Sequence, residues 1–153
     1  AAKKVITRGD RPALVSVMAA NNETGVIQPL EAVAEICRDA DVPLHIDATQ
    51  TIGKFPFDFA KSGAAAVTLT AHKFHGPAGI GALLVRRGVA LKPLMLGGEQ
   101  QLGKRPGTEA VPLAVGMAKA LTIALRDHSE VNQRVKSIRD QFESSLRQAV
   151  DTV

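Results

Sequence analysis

Four short apolar runs separated by turn-forming residues constrain the fold of this 153-residue chain more than any other feature. They lie at residues 14–18, 43–46, 65–69 and 80–85. Apolar runs of this length that do not alternate with polar residues are typical of strands in a sheet covered on both faces. The sequence therefore predicts an α/β protein built on a buried central sheet.

The segments between the runs predict the strand directions. Pro29 opens a helix with one apolar stripe, and the segment between the second and third runs has room for another helix. Connections of this length predict that the first three strands are parallel. The short segment around Gly76, Pro77 and Gly79 has no room for a crossover helix, so the third and fourth strands are predicted to be antiparallel.

The segment at 111–153 has the spacing of a long amphipathic helix. Two apolar stripes are predicted to face the interior, the first made of Ala114, Val115, Ala118, Leu121 and Leu125, the second of Val131, Val135, Ile138, Phe142 and Leu146. Charges of both signs oppose them, which favours a globular helix over a membrane-bound one. We divide the chain into an α/β core at 1–110 and a helical segment at 111–153.

Composition excludes several classes of function. The chain is 45% hydrophobic and 22% charged, and no run of about 18 uncharged apolar residues predicts a membrane span. The net charge of +4 is spread among both signs and the chain has no Trp or Tyr, so nucleic-acid binding is not expected. The single cysteine, Cys37, excludes an internal disulfide and gives no zinc-binding spacing of cysteines, and it favours a reducing, cytoplasmic location.

Reactive polar residues follow three of the predicted strands: Asn22 after the first, Asp47 after the second, and Thr70, His72 and Lys73 after the third. Parallel strands bring their carboxyl ends to one edge, where open α/β sheets bind ligands. A lysine amine forms an imine with an aldehyde, and a carboxylate favours a protonated pyridine nitrogen. The pair therefore suits pyridoxal 5'-phosphate (PLP), with the hydroxyl and imidazole as phosphate donors. The same acid and amine could equally form a salt bridge.

Several segments resemble the class V aminotransferase family and, within it, the cysteine desulfurase branch. They are ANNETG (20–25), QP (28–29), HIDATQ (45–50), TAHKFHGP (70–77), GIGAL (79–83), GGEQQ (97–101) and RPGTE (105–109). The match runs in order from about residue 14 to about residue 120. It implies the large domain of an aspartate-aminotransferase-like (fold type I) PLP enzyme, an incomplete three-layer α/β domain with a mostly parallel sheet.

The resemblance also implies residue roles. Lys73 would be the catalytic lysine that holds PLP, and Asp47 would pair with the pyridine nitrogen. Further cofactor contacts are implied for the ring oxygen (Asn22 and Gln50), for the phosphate (Thr70 and His72) and for the phosphate of the neighbouring protomer in a homodimer (Thr108).

The implied activity is conversion of L-cysteine to L-alanine, with the sulfur passed to a protein thiol and on to a scaffold protein of iron–sulfur cluster assembly. Members of this branch carry a mobile loop with the sulfur-accepting cysteine, and Cys37 instead lies on a helical apolar stripe. The chain is therefore expected to be a central fragment that is inactive alone. The alternatives are another class V activity, such as a selenocysteine lyase or a small-amino-acid aminotransferase, and a non-catalytic folded fragment.

Overall fold

The computed structural model describes residues 12–150 and centres on a four-stranded sheet in the order β1-β2-β3-β4. The strands are β1 (Val15–Met18), β2 (Leu44–Asp47), β3 (Ala66–Thr70) and β4 (Gly81–Val85). β1, β2 and β3 are parallel and β4 runs antiparallel to β3, so both predicted directions are confirmed.

The helical elements are α1 (Leu30–Asp39), a 3₁₀ turn (Ala71–Phe74), the single turn α2 (Gln100–Gly103) and the long α3 (Val111–Ala149). The backbone of α2 is left-handed, with φ of 52° at Gln101 and 59° at Leu102. α1 begins directly after Pro29, as predicted. The segment between β2 and β3 forms turns and no helix. The Ala48 carbonyl accepts the amide N–H groups of Thr51 and Ile52 at 3.0 Å, and Gly53 then leaves the right-handed helical region with φ of 81°.

The core lies on one face of the sheet. Alternation along the strands turns Leu44, Ile46 and Val67 to this face, where α1 covers them through Ala34 and Cys37. Farther along the same face, Leu69 packs with the 3₁₀ turn against the first turns of α3. Burying these side chains supplies the main driving force for folding, at about 1.5–3 kcal/mol for each large one.

The opposite face of the sheet carries polar side chains. Ser16, His45, Asp47, Thr68 and Thr70 alternate with the core residues along β1, β2 and β3, and each is half-buried or exposed. The interpretation of these runs as non-alternating is therefore wrong, because only one side of each strand packs into the core. Within residues 12–150 the helices cover only the core face, so the mostly parallel α/β architecture is confirmed and the third layer stays a prediction.

The packing face of α3 differs from the first predicted stripe. Leu121 contacts the core, whereas Val115 is 63% exposed, and the helix approaches the protein through Gly116, Met117 and Ala120. Small residues decide this face because they let the backbones come close: a Cβ on Gly116 would lie 3.2 Å from the Pro77 ring.

The second predicted stripe, from Val131 to Leu146, is exposed along its whole length. The predicted internal packing of that stripe is therefore not seen among the described residues. The predicted core at 1–110 and helical segment at 111–153 extend over residues 1–11 and 151–153, which lie outside the described residues. No described helix combines the length and apolar character that a membrane span requires.

Candidate active site

Lys73 lies in the 3₁₀ turn that follows β3. Residues three apart eclipse in such a turn, so Ala71 and Phe74 both point into the core, with exposures of 0% and 3%. His72 and Lys73 are thereby turned outward and are exposed. His75 ends the turn in the left-handed conformation with φ of 65°. The turn therefore buries Ala71 and Phe74 and leaves His72 and Lys73 accessible to a ligand.

A close contact joins the Lys73 turn to the turn that follows β2. Gly53 has φ of 81°, and a Cβ placed there would lie 2.8 Å from Phe74 Cβ and 3.1 Å from Ala124 Cβ. Only glycine permits this approach, because it combines a left-handed backbone with no side chain. The turn that carries Gln50 is therefore held directly against the turn that carries Lys73.

Asp47 is the last residue of β2 and is half-buried. Its Oδ1 accepts the Thr49 amide N–H at 2.9 Å, and its Oδ2 makes no hydrogen bond with any residue in 12–150. No ion pair joins Asp47 to Lys73 among the described residues, so the alternative of a direct salt bridge is not what this structure adopts. One carboxylate oxygen and the amine both remain available to a ligand.

Thr70 and His72 form a hydroxyl–imidazole pair beside Lys73. Thr70 Oγ1 lies 3.1 Å from His72 Nδ1, and the hydroxyl also donates to the Ile80 carbonyl across a longer 3.3 Å. Because the Thr70 hydroxyl donates its proton to the Ile80 carbonyl, its oxygen can accept a hydrogen bond from Nδ1–H of His72. The pair is therefore orientated at the end of β3, with the outer imidazole nitrogen of His72 directed away from Thr70.

The remaining predicted cofactor residues occupy the neighbouring loops. Gln50 Oε1 accepts from Lys54 Nζ at 3.3 Å, in the turn after β2. Asn22 follows β1, and its Nδ2 donates to Glu23 Oε1 at 2.7 Å. The side chain of Asn21 shapes that loop, because its Oδ1 accepts the amide N–H groups of Glu23 and Thr24 at 2.9 Å each.

Six of the seven predicted residues therefore lie at or shortly after the carboxyl ends of three adjacent parallel strands. We call these residues the strand-end cluster: Asn22, Asp47, Gln50, Thr70, His72 and Lys73. Thr108 is not part of it. It is exposed in the loop between α2 and α3, and its side chain makes no hydrogen bond with the described residues of the cluster.

The donor set of the strand-end cluster fits PLP. The cofactor presents an aldehyde, a phosphate, a ring oxygen and a ring nitrogen. The cluster offers an exposed amine, a hydroxyl–imidazole pair, amide groups and a carboxylate oxygen that no described residue uses. Each chemical group of the cofactor thus has a complementary residue at this edge of the sheet.

Sequence reasoning missed a polar network beside the cluster. His45 Nδ1 lies 2.8 Å from Ser16 Oγ, and His45 Nε2 lies 3.1 Å from Thr68 Oγ1. The signal was present in the alternation of β2, because His45 and Asp47 are two residues apart and so share a face.

The sequence of residues 1–152 matches the profile of the class V aminotransferases, and the chain belongs to this family. Among its relatives, the cysteine desulfurase of Gluconacetobacter diazotrophicus is 44% identical over 92% of this chain and 35% of its own length. The mitochondrial cysteine desulfurase of Arabidopsis thaliana is 42% identical over 92% of this chain and 31% of its own length. The chain thus spans about a third of these curated relatives.

Solved structures agree with the family. A NifS-like protein superposes with a TM-score of 0.89 at 41% identity, covering 97% of this chain and 41% of that one. DndA from Streptomyces lividans superposes with a TM-score of 0.82 at 34% identity, covering 95% of this chain and 43% of that one. These likenesses confirm the predicted class of fold, the mostly parallel α/β large domain of fold type I PLP enzymes.

Proposed function

We propose that this chain is the cofactor-binding part of a PLP-dependent cysteine desulfurase, which converts L-cysteine to L-alanine and passes the sulfur to a protein thiol. The observation that carries the proposal is the strand-end cluster, in which the amine of Lys73 and the carboxylate of Asp47 are unpaired with each other at adjacent strand ends. Relatives named cysteine desulfurase at 42–45% identity support it further.

Lys73 would hold the cofactor aldehyde, and its placement on a short turn anchored by two buried residues limits where the amine can reach. Asp47 would accept the pyridinium N–H through Oδ2, while the Thr49 amide N–H on Oδ1 keeps the carboxylate orientated. Bound PLP supplies an electron sink for the bonds at the substrate α-carbon. The ionised carboxylate favours the protonated ring that this role requires.

The other cluster residues would anchor the two ends of the cofactor and the substrate. Thr70 and His72 would hold the phosphate. The Thr70 hydroxyl would then donate to the phosphate instead of the Ile80 carbonyl, and the bond that it gives up is long, at 3.3 Å, so the exchange costs little. Gln50 and Asn22 would hydrogen-bond the ring oxygen. Asn22, which is exposed on its loop, would also reach the substrate carboxylate.

A homodimer belongs to the proposal. Thr108 stands apart from the cluster of its own chain, and in a dimer it would contact the phosphate of the partner protomer. The surrounding loop exposes large apolar side chains, with Leu94 at 100% and Leu96 and Leu102 at 93% each. Exposed apolar surface of this kind marks an interaction surface in a soluble protein.

The sulfur acceptor in this reaction is a thiol other than Cys37. Cys37 is 2% exposed on the core face of α1, and burial raises the pKa of its thiol, so the nucleophilic thiolate is disfavoured. We propose that the sulfur passes to a thiol in a mobile segment and then to a scaffold protein of iron–sulfur assembly. A reducing compartment such as the cytoplasm would keep such thiols active.

The test is a product analysis with the complete protein, PLP and L-cysteine under reducing conditions. We expect equal amounts of alanine and sulfide, and we expect Lys73→Ala to abolish both products and the visible absorption of bound PLP. Lys61→Ala is the matched control, since that lysine is exposed and forms an ion pair with Asp58. Amino transfer from alanine to a keto acid without sulfide would instead assign a small-amino-acid aminotransferase.

A further inference from the structure

The open face of the sheet carries a network that spans its three parallel strands. Ser16 of β1, His45 of β2 and Thr68 of β3 are joined by hydrogen bonds to the two nitrogens of one imidazole, at 2.8 Å and 3.1 Å. A neutral imidazole offers one donor and one acceptor, and a hydroxyl can serve as either, so both ring nitrogens are satisfied. The ring is thus held across the strands.

The network lies next to Asp47. His45 precedes Asp47 by two residues on the same face of β2, which places the two backbones about 6.6 Å apart along the strand. Thr68 is the register partner of Asp47 on the neighbouring strand, and parallel strands lie about 4.8 Å apart. Thr68 therefore contacts His45 through its hydroxyl and lies beside Asp47 in the register of the two strands.

The two ends of the network differ in exposure. The hydrogen bond from His45 to Thr68 is partly buried, whereas the bond to Ser16 is exposed. Water can replace the Ser16 hydroxyl more readily than the Thr68 hydroxyl, so the Thr68 bond constrains the ring and its neighbours more strongly.

We infer that His45 is a positioning residue for Asp47: by fixing the Thr68 side chain beside the carboxylate, it directs Oδ2 toward the ring nitrogen of the cofactor. The inference rests on the proposed function. The Thr49 amide N–H orients the carboxylate through Oδ1 alone, and Oδ2 has no hydrogen-bond partner among residues 12–150. The Thr68 side chain, held by His45 on the neighbouring strand, would add a second constraint from the side of β3.

A cofactor analogue separates positioning from general structural support. The complete apo-protein is titrated with PLP and with an analogue in which a C–H group replaces the ring nitrogen. The analogue keeps the aldehyde and the phosphate and loses the group that Asp47 contacts. Substituting a residue that acts through Asp47 weakens the binding of PLP and leaves the binding of the analogue unchanged. Substituting a residue that only supports the sheet weakens the binding of both compounds equally.

The variants test each atom of the network. In His45→Asn the amide reaches the position of Nδ1 and no longer that of Nε2, and Thr68→Val removes the hydroxyl with little change of shape. Each variant is expected to raise the dissociation constant for PLP about fivefold, as the loss of one net hydrogen bond implies. The dissociation constant for the analogue is expected to change by less than about twofold. His45→Gln, whose amide reaches the position of Nε2, and Ser16→Ala are expected to stay within about twofold of the wild type for both compounds.

The double variant His45→Asn with Thr68→Val provides a second criterion. Both substitutions remove the same contact, so the double variant is expected to bind PLP no more weakly than either single variant. Equal losses for PLP and the analogue, or additive losses in the double variant, would overturn the positioning role. If His45→Asn does not fold, the PLP and analogue affinities of Thr68→Val and Ser16→Ala test the positioning role instead. Wild-type protein that binds PLP no better than Lys73→Ala would refute the proposed function itself.

Discussion

Replacing Gly53 with alanine tests the contact that links the turn after β2 to the Lys73 turn. The new Cβ would lie 2.8 Å from Phe74 Cβ and 3.1 Å from Ala124 Cβ, and the backbone φ of 81° disfavours any side chain. The left-handed conformation costs about 1–2 kcal/mol, and forcing a methyl group into a packed site costs about 1–3 kcal/mol. We therefore expect Gly53→Ala to lower the free energy of unfolding by about 2–5 kcal/mol.

Gly88→Ala is the matched control. Gly88 has φ of 86°, and nothing lies within 4 Å of a Cβ added there. Gly88→Ala therefore introduces the same left-handed backbone strain without a steric clash of the new methyl group. The expected loss is about 1–2 kcal/mol, and the difference between the two variants is the packing term. Urea unfolding of the complete protein, followed by circular dichroism, measures both values.

The same substitution is expected to affect cofactor binding. Phe74 adjoins Lys73, so displacing the phenyl ring moves the amine, and Gly53→Ala is expected to bind PLP more weakly than Gly88→Ala. Equal stability losses in the two variants, or a Gly53→Ala protein that binds PLP like the wild type, would refute the close packing of these turns and the placement of Lys73 derived from it.

Two further outcomes follow from burial. Phe74→Ala is expected to cost about 3–5 kcal/mol of stability, whereas Phe142→Ala, at a residue that is 65% exposed, is expected to cost less than about 1 kcal/mol when both are compared by urea unfolding. The buried Cys37 thiol is expected to resist alkylation in the native protein and to react rapidly in urea. Because folding raises its pKa above the ordinary 9.0, the stability it contributes is complete below pH 9.0 and is lost at higher pH, which unfolding between pH 8 and pH 10 measures.

Local signals predicted the sheet well. The apolar runs ended at turn-forming residues, so the strand bounds agree to within about one residue, and connection length alone distinguished the parallel pairs from the antiparallel one. Site residues at strand ends followed from those directions. The placement of Asn22, Asp47 and Lys73 at adjacent strand ends was therefore predictable without a structure.

The packing of α3 was less predictable, because the helix is rich in alanine and has apolar residues on several faces. The apolar periodicity predicted that the face containing Val115 packs against the core. In the structure the face containing Gly116 and Ala120 packs there instead, because its small residues let the helix backbone come close. The choice depends on backbone distance to Pro77 and to the 3₁₀ turn, which no pattern of hydrophobicity encodes. The orientation of His72 and Lys73 likewise depends on a tight turn anchored by Phe74, for which the sequence predicted only a turn-rich segment.

The most direct test of the account is to trap the lysine–PLP bond by borohydride reduction of the complete protein and to map the labelled residue by mass spectrometry. The placement of Lys73 directly after β3, the strand next to the one that Asp47 ends, predicts that the phosphopyridoxyl group is found on Lys73. A label on Lys54, which lies close to Gln50, or on no lysine of this chain would contradict it.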